Sequence, residues 1–288
     1  MNLDSITAHY REHGYVVVPD LLPAEIVTRL RDVTDEVAAS AEGLTEETPV
    51  FDFDEPDAHG RAAIQRIKKP HRAHPFYAQM SRQPEILAVM RAIVGENIRL
   101  SHSKINMKAA HGGAALEWHQ DWAFAPHTTM DTIVASIMID GASAANGAMQ
   151  VIPGSNKGPL YDHHGEDGFF EGAFDLPANG IDPASAALLE GPAGTVAFHH
   201  PLTIHGSGVN RSGDPRRILF LECAAAHAYP LFYPVDWTEY ESRMICGVST
   251  PDIRVEHNIV RLPFPSRAGS SIYKIQAGAK ARYFAGAA

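Results

Sequence analysis

The stretch that decides the fold is "TIVASIMID", residues 132–140, which is apolar at almost every position. A run of this kind is typical of a strand that is covered on both faces. Comparable short β-rich runs follow one another from residue 98 onward, with turns between them: "IRLSHSKINMK" (98–108), "AMQVIPGS" (148–155), "GTVAFHH" (194–200) and "RRILFLECAAA" (216–226). Strands at this spacing predict a β-sandwich or a β-barrel.

The chain before residue 98 has a different pattern. "HGYVVVPDLL" (13–22) predicts a short strand that ends in a Pro-Asp turn. Pro23 then opens a helix that should run to about Ala41, with apolar residues at helical spacing. A second helix is predicted over 84–95, with Gly95 as its stop signal. The acidic segment 42–62 between them is rich in turn formers and is expected to be a long surface loop.

These elements predict one domain over residues 1–288. Its N-terminal helical region covers about 1–97, and its β core covers about 98–225. The stretch 155–193 interrupts the strands with a Gly- and Pro-containing segment. A long insertion in a β scaffold is often functional. We therefore expect this segment to be a lid that contributes to specificity.

Composition restricts the classes of function. The chain is 45% hydrophobic and carries a formal net charge of −10, and it has no long basic run of the kind that follows a phosphate backbone. Nucleic acid and membrane are therefore not expected partners, whereas a small-molecule substrate is. Only two cysteines are present, and the chain begins without a signal pattern. The expected compartment is the reduced cytoplasm, and no pattern specifies an oligomeric state.

Sixteen histidines are unusual, and one of them belongs to "LEWHQDWAF", residues 116–124. In an extended segment, positions i and i+2 share a face, so His119 and Asp121 can converge on one point. The pair is either a buried ion pair or part of a metal site. A buried ion pair is seldom worth its desolvation cost, but a His-x-Asp pattern alone is common by chance.

A second segment makes the metal interpretation stronger. "HHPLTIHGSGVNRSGDPRRILFLEC" (199–223) holds His205 at the end of a strand-like run and Arg216 eleven residues later. With His205, the set becomes two histidines and one carboxylate, which suits non-haem Fe(II) and leaves coordination positions open. A guanidinium at Arg216 is well suited to a two-pronged carboxylate contact, to which the Ser207 hydroxyl could add.

These motifs together resemble the phytanoyl-CoA dioxygenase family of Fe(II)- and 2-oxoglutarate-dependent oxygenases. The resemblance rests on "HQDWAFAPH", "MQVIPGSNKGPL", "HHPLTIHGSG" and the Arg that follows, and it extends to the N-terminal "EHGYVVVPDLL". It implies a double-stranded β-helix, a cupin-like jelly roll that is mainly β with flanking α-helices. It implies His119, Asp121 and His205 as iron ligands, and Arg216 and Ser207 as holders of the distal carboxylate of 2-oxoglutarate.

The resemblance also implies the reaction. The cofactor set would be Fe(II), 2-oxoglutarate as co-substrate and O2, and a small organic molecule would be oxidised, most simply hydroxylated, with release of succinate and CO2. Related halogenases replace the carboxylate with Gly or Ala, so Asp121 favours a hydroxylase over a halogenase. One alternative is a non-catalytic jelly-roll protein that binds or senses a ligand. Another is a cupin-like metalloenzyme without a 2-oxo acid, for which Arg216 would have no purpose.

Several other positions remain open at this stage. The enzyme that names the family has a Trp near the co-substrate in the strand after the His-x-Asp motif, and counting along this chain puts Ile137 there. Lys104, Asn106 and Lys108 are the candidates to contact the C1 carboxylate of 2-oxoglutarate, and Lys108 is also a candidate substrate contact. Further expectations concern aromatic residues and histidines: Trp122 and Phe124 line the substrate pocket or pack in the core, His199 and His200 pack or support the ligands, and His111, His127, His163 and His164 lie in exposed loops.

Overall fold

Two antiparallel sheets pack against each other in the computed structural model of this protein, which describes residues 1–54, 62–232, 235–257, 259–266 and 271–284. The larger sheet has eight strands, in the spatial order β1 (Tyr15–Val18), β9 (Val196–His199), β6 (Thr132–Met138), β11 (Arg216–Ala225), β4 (Ile98–Lys108), β3 (Ile64–Lys68) and β2 (Phe51–Phe53), with β12 (Met244–Cys246) also paired to β4. The smaller sheet has the order β5 (Leu116–His119), β10 (His205–Ser207), β7 (Met149–Val151) and β8 (Ala187–Leu189). This architecture confirms the prediction of a mainly β fold.

The described residues form seven α-helices. They are α1 (Leu3–His13), α2 (Ala24–Ala39), α3 (Pro70–Ala73), α4 (Pro75–Met80), α5 (Pro84–Val94), α6 (Trp237–Ser242) and α7 (Ile272–Ala277). The helices predicted after Pro23 and over 84–95 are confirmed by α2 and α5. No helix in the described part of the chain is both long and apolar enough to cross a membrane.

The first helix, α1, was not predicted. The Asn2 side chain accepts a hydrogen bond from the Ser5 backbone N–H at 3.1 Å, which supplies an N-cap. The helix ends at Gly14, whose φ is +79°, and a Cβ there would lie 2.5 Å from the Thr203 hydroxyl oxygen. Glycine is therefore required at this position by both conformation and space. The strand predicted over 13–22 is shorter, because α1 occupies its beginning.

The prediction of a surface loop over 42–62 was partly wrong, and the expected lid over 155–193 contains short regular elements. The segment 42–62 was expected to be a loop, but within its described part β2 pairs with β3 in the larger sheet. The segment 155–193 contains three short 3-10 helices, and near its end β8 extends the smaller sheet by pairing with β7. β2 and β8 form strands because β3 and β7 beside them have backbone N–H and C=O groups that need hydrogen-bond partners.

Alternation along β4, β6 and β11 separates the two faces of the larger sheet. Ile105, Ile137 and Leu219 point to the outer face and are fully buried in the core beneath α2 and α5. The intervening residues point inward, towards the smaller sheet, and they include most of the charged groups on these strands. The register places Lys104 opposite Phe220, Asn106 opposite Ile218, Lys108 opposite Arg216 and His102 opposite Glu222.

The alternation shows that Ile137 does not occupy the position expected for the family's co-substrate Trp. Ile137 lies on the outer, helix-covered face and does not contact the interior between the sheets. The inward residues at that level of β6 are Ser136 and Met138, since successive side chains on a strand point to opposite faces. Counting residues along the sequence identified the correct strand, β6, but not the face of the sheet to which each side chain points.

Candidate metal centre

Two histidines meet across the smaller sheet because their strands are neighbours. His119 ends β5 and His205 begins β10, and the two residues are directly opposite in the register. Their ring centroids are 4.1 Å apart. Asp121 follows as the first residue of the 3-10 helix Asp121–Ala123. The carboxylate therefore reaches the histidines because the chain turns after His119, rather than by continued strand alternation.

The three side chains form one cluster, which we call the ligand triad: His119, Asp121 and His205. One carboxylate oxygen, Asp121 Oδ1, lies 3.9 Å from His119 Nε2 and 3.8 Å from His205 Nε2. All three ligand atoms lie within 4.8 Å of one another. Among the described residues this is the group of His, Cys, Asp or Glu side chains whose atoms could share a metal ion.

Backbone carbonyls fix both imidazole rings of the triad. The Nδ1 of His119 lies 2.7 Å from the Glu117 carbonyl oxygen, and the Nδ1 of His205 lies 2.9 Å from the Thr203 carbonyl oxygen. A carbonyl can only accept, so each Nδ1 carries the hydrogen and each Nε2 presents a lone pair to the centre of the cluster. This arrangement is common for histidines that bind a metal.

Protonation states also suit a divalent ion. Burial lowers the pKa of His205 to about 4 and lowers that of His119 further below the usual range. Burial by itself would raise the pKa of Asp121, but His205, a hydrogen bond from His199 and nearby Lys104 outweigh it, so the pKa is held well below its ordinary value. Neutral imidazoles and an ionised carboxylate are the forms that metals bind. Two imidazoles and one carboxylate are the donor set of non-haem Fe(II) sites.

A narrow space lies beside the triad, and we call it the carboxylate crevice. Several polar side-chain atoms in its lining have no hydrogen-bond partner. Arg216 is only 1% exposed, and its Nε and Nη1 atoms have no hydrogen-bond partner. The Ser207 hydroxyl and the side-chain amide oxygen of Asn106 are also buried without a hydrogen-bond partner. Burial lowers the pKa of Arg216 to about 10, which leaves it charged near neutral pH. A buried, unpaired guanidinium is expensive, so these atoms fit a bound carboxylate.

Lys108 does not reach this space. Its ammonium donates to the carbonyl oxygens of Ala114 and Gly208, both at 2.6 Å. It therefore fastens the β4–β5 connection to the turn after β10. The structure brings Arg216, Ser207, Asn106 and Lys104 to the crevice, but it does not bring Lys108 there.

Lys104 stands between the crevice and a larger cavity. Its ammonium lies 2.8 Å from a Glu222 carboxylate oxygen. Lys104 and Asp121 each line both the crevice and the larger cavity. Burial alone would lower the pKa of Lys104, but Glu222 and Asp121 outweigh burial and raise it. The ammonium is thus firmly charged.

The larger cavity has a volume of about 490 Å³ and opens above the triad. Basic side chains outnumber acidic ones in its lining, although the chain as a whole is acidic. The basic set is Arg66, Lys69, Arg72, Lys104 and Arg243, and the acidic set is Asp121, Glu222, Asp236 and Glu239. Partial burial, with Arg72 and Arg243 nearby, lowers the pKa of Lys69. Because Arg72 and Arg243 both pair with Glu239 and Lys104 pairs with Glu222, the lining as a whole is nearly balanced in charge. Lys69, Arg72 and Arg243 form the part of it where basic side chains lie close together.

The aromatic residues after the motif take different places. Phe124 lines the larger cavity and is in edge contact with the His119 ring, whereas Trp122 is 2% exposed and is not among the residues that line either space. The expectation of exposed loop histidines was wrong for His127 and His163, which are buried. His127 lines the larger cavity. The Nε2 of His163 accepts a hydrogen bond from the Gln120 backbone N–H at 3.0 Å and so braces the segment between the ligands.

Sequence reasoning missed three residues at the site. Glu222 lies on the same face of β11 as Arg216, so strand alternation could have indicated that it points inward. Tyr273 belongs to α7, and its buried hydroxyl has no partner and lies in the electrostatic range of Arg216. No signal in the sequence connects α7 with β11. Ile272, also in α7, lines both the crevice and the larger cavity.

Comparisons with known proteins agree with this geometry. The family model described as phytanoyl-CoA dioxygenase matches residues 10–218. A probable alpha-ketoglutarate-dependent hypophosphite dioxygenase from Stutzerimonas stutzeri is 36% identical over 279 residues, covering 96% of this chain and 97% of that protein. An L-proline trans-4-hydroxylase from Streptomyces griseoviridis is 28% identical over 232 residues, covering 74% of this chain and 82% of the relative.

Solved structures show the same fold. EctD from S. alaskensis, crystallised with 2-oxoglutarate and 5-hydroxyectoine, superposes with a TM-score of 0.68 at 22% identity, covering 89% of this chain and 87% of that one. Together with the two packed sheets, this similarity confirms the jelly-roll prediction.

Proposed function

This chain belongs to the phytanoyl-CoA dioxygenase family, an Fe(II)- and 2-oxoglutarate-dependent dioxygenase group, and we propose how its own residues perform that activity. The ligand triad holds Fe(II), and Arg216 with Ser207 holds the distal carboxylate of 2-oxoglutarate. The observation that carries this assignment is the buried guanidinium of Arg216, which has two unpaired nitrogen atoms beside the triad. Asn106 and Lys104 are the groups proposed to contact the other end of the co-substrate.

The protein's own part in the reaction is binding and orientation. Bound Fe(II), 2-oxoglutarate and O2 supply the oxidising chemistry, which yields succinate, CO2 and an oxidised substrate. Arg216 and Ser207 fix the direction in which the co-substrate lies, because a planar guanidinium binds a carboxylate through two parallel hydrogen bonds. The apolar walls of the crevice, Leu116, Met149 and Phe220, exclude water from the same space.

The substrate class proposed for the larger cavity is a small molecule that carries an oxyanion. The S. stutzeri relative, whose name gives hypophosphite as its substrate, is the first support, and the group of Lys69, Arg72 and Arg243 in the cavity wall is the second. A volume of about 490 Å³ lies in the range of ordinary small-molecule pockets and gives room for an organic group beyond the anion. Phe124 and the segment 155–193, proposed as a lid, would contact that group, since Phe170 of this segment packs on Phe124 at 5.0 Å between ring centroids.

The remaining expectations stay proposals of the same kind. No nucleic acid or membrane partner is proposed, because the basic residues named above line a cavity rather than an outer face. Both cysteines are free, and one of them, Cys223, is buried. This is consistent with the reduced cytoplasm as the proposed compartment.

Succinate formation tests the activity and the substrate class together. The purified protein with Fe(II), 2-oxoglutarate and O2 is supplied with hypophosphite, small carboxylates and small phosphonates, and in parallel with the neutral amide or ester analogues of these anions. We expect succinate above the uncoupled background with an anion and none with its neutral analogue. Turnover of neutral compounds alone would overturn the oxyanion proposal. Absence of succinate in every arm, including the uncoupled reaction, would favour the non-catalytic alternative.

Lys104→Met separates substrate binding from co-substrate binding. Met keeps much of the length of the side chain and removes the charge. If Lys104 contacts the co-substrate as proposed, the variant raises the Kd for 2-oxoglutarate, measured without oxygen. If Lys104 contacts the substrate anion instead, the variant raises the KM for the anion and leaves that Kd the same. Met107→Leu, on the outer face of β4, is the matched control and should change neither value.

A further inference from the structure

A third histidine, His199, lies behind the ligand triad. It is the last residue of β9 and is fully buried on the inner face of the larger sheet. Its Nε2 lies 2.9 Å from Asp121 Oδ2, although the two residues are 78 positions apart. Its ring is 4.7 Å from that of His205, measured between centroids. His199 is therefore in contact with the triad but is not one of its members.

The two oxygens of Asp121 have different surroundings. Oδ1 faces the Nε2 atoms of the two triad histidines, at 3.9 and 3.8 Å. Oδ2 accepts the hydrogen bond from His199 Nε2. A carboxylate held in this way has Oδ1 next to the two ligand nitrogens, while Oδ2 is engaged by a hydrogen bond. Its side-chain rotation is also restricted, although the side chain is one-fifth exposed.

The hydrogen-bond pattern of His199 is the reverse of that of the triad histidines. An ionised carboxylate accepts, so the hydrogen in this contact is on His199 Nε2. The Nδ1 of His199 is buried without a partner. His119 and His205, in contrast, carry the hydrogen at Nδ1 and leave Nε2 free for a metal.

The chain that follows His199 also holds the backbone around Asp121. The Trp122 backbone N–H donates to the Pro201 carbonyl oxygen at 3.0 Å, and the Gln120 side chain donates to the Leu202 carbonyl oxygen at 2.9 Å. The connection between β9 and β10 thus binds the residues on both sides of Asp121 while His199 binds its side chain. Such supporting contacts commonly determine how well a ligand is aligned.

We propose that His199 is a positioning residue that holds Asp121 with one oxygen turned towards the metal and thereby sets the affinity of the triad for a divalent ion. This inference rests on the metal site of the proposed function. Because the hydrogen bond already restricts the Asp121 side chain, less conformational entropy is lost when the ion binds than would be lost by a free carboxylate. It also favours coordination through Oδ1 over coordination through both oxygens, because turning Oδ2 to the metal would break the hydrogen bond to His199.

The test measures Co(II) binding to the full chain without 2-oxoglutarate, by titration calorimetry and by the visible spectrum of the bound ion. His199→Phe fills a similar volume but cannot donate, and loss of an outer partner of a metal ligand typically costs about 10- to 100-fold in affinity. We expect a loss of that size, together with a changed Co(II) spectrum as Asp121 becomes free to bind through both oxygens. His199→Gln, whose amide nitrogen can reach Oδ2, should recover most of the affinity.

The control is His200→Asn, next in sequence. The Nδ1 of His200 accepts a hydrogen bond from the Leu202 backbone N–H at 3.1 Å, and an Asn oxygen can replace it. This variant should bind Co(II) like the unaltered protein. Equal affinity in His199→Phe and the unaltered protein would overturn the proposal, as would equal losses in the Phe and Gln variants with unchanged thermal unfolding. If Asp121→Ala also binds Co(II) normally, the metal site itself is wrong, and the proposed function fails rather than this inference alone.

Discussion

The two faces of the larger sheet are built from the same strands but serve different purposes. On the outer face, Ile105, Ile137 and Leu219 are fully buried beneath helices and carry no polar atoms that need partners. On the inner face, Asn106 and Arg216 are buried just as deeply, yet some of their polar atoms have no partner. Burial of that kind opposes folding. The outer face therefore stabilises the fold, whereas the polar atoms of the inner face are placed to bind a ligand at a cost in stability.

The largest effect is expected where the inner face meets the metal. Asp121→Ala removes the charged ligand, so Fe(II)-dependent succinate formation should fall by more than the roughly 100-fold that loss of an outer partner costs. The metal-free protein should still fold, with a melting temperature only moderately lowered, because the change leaves the buried His199 Nε2–H without its partner but removes no large apolar side chain. Steady-state kinetics and calorimetric melting measure the two quantities. An unfolded variant would show that the pair is structural instead.

Arg216 and Arg217 are consecutive in sequence and point to opposite faces. Arg216→Ala should raise the Kd for 2-oxoglutarate, since truncating one partner of a buried charged contact costs about 2–5 kcal/mol, or about 30- to 4000-fold. Arg217 pairs with Asp140 at 2.7 Å, so Arg217→Ala is the control and should leave this Kd unchanged. Anaerobic titration measures both. A similar Kd in the two variants would contradict the assignment of Arg216.

Stability should depend on pH through three histidines that the fold buries wholly or in part. Burial lowers the pKa of His102, His163 and His200 from 6.5 to about 4. Below pH 6.5 the unfolded chain takes up protons that the folded chain refuses until about pH 4, so stability falls as pH is lowered through this window. The loss between pH 7 and pH 5 should be on the order of 1–2 kcal/mol for each imidazole.

Urea unfolding of the metal-free protein at the two pH values measures this loss. His102→Gln should make the pH dependence shallower, because it removes one imidazole from the group. A free energy of unfolding that stays constant between pH 7 and pH 5 would mean that these histidines are not held neutral by the fold.

The smallest effects compare neighbouring residues of β6. Ile137→Val on the outer face should lower the free energy of unfolding by about 0.5–1.5 kcal/mol without changing the Kd for 2-oxoglutarate. Ser136→Ala on the inner face removes a buried hydroxyl that has no partner, so it should be neutral or slightly stabilising. Urea unfolding of both variants measures the difference. A larger loss of stability for Ser136→Ala would contradict the division between the faces.

The sequence predicted the β core and two helices because their signals are local. Helical spacing after Pro23 and the apolar run at 132–140 each lie within one element. The same reasoning missed α1, whose N-cap is the second residue of the chain, and it missed β2, which is a strand only because β3 lies beside it. Short elements that depend on a neighbour leave little periodicity to detect.

By itself the sequence determined which residues can bind a metal and a carboxylate, because residue type and strand spacing restrict the chemistry of His119, Asp121, His205 and Arg216. Tertiary structure alone decided which oxygen of Asp121 faces the metal, through His199 on a distant strand. It also turned Lys108 away from the crevice, paired Lys104 with Glu222 and brought α7 over the site. The physical reason is that these contacts depend on the register and face of strands that are far apart in the chain, and no local pattern encodes either one.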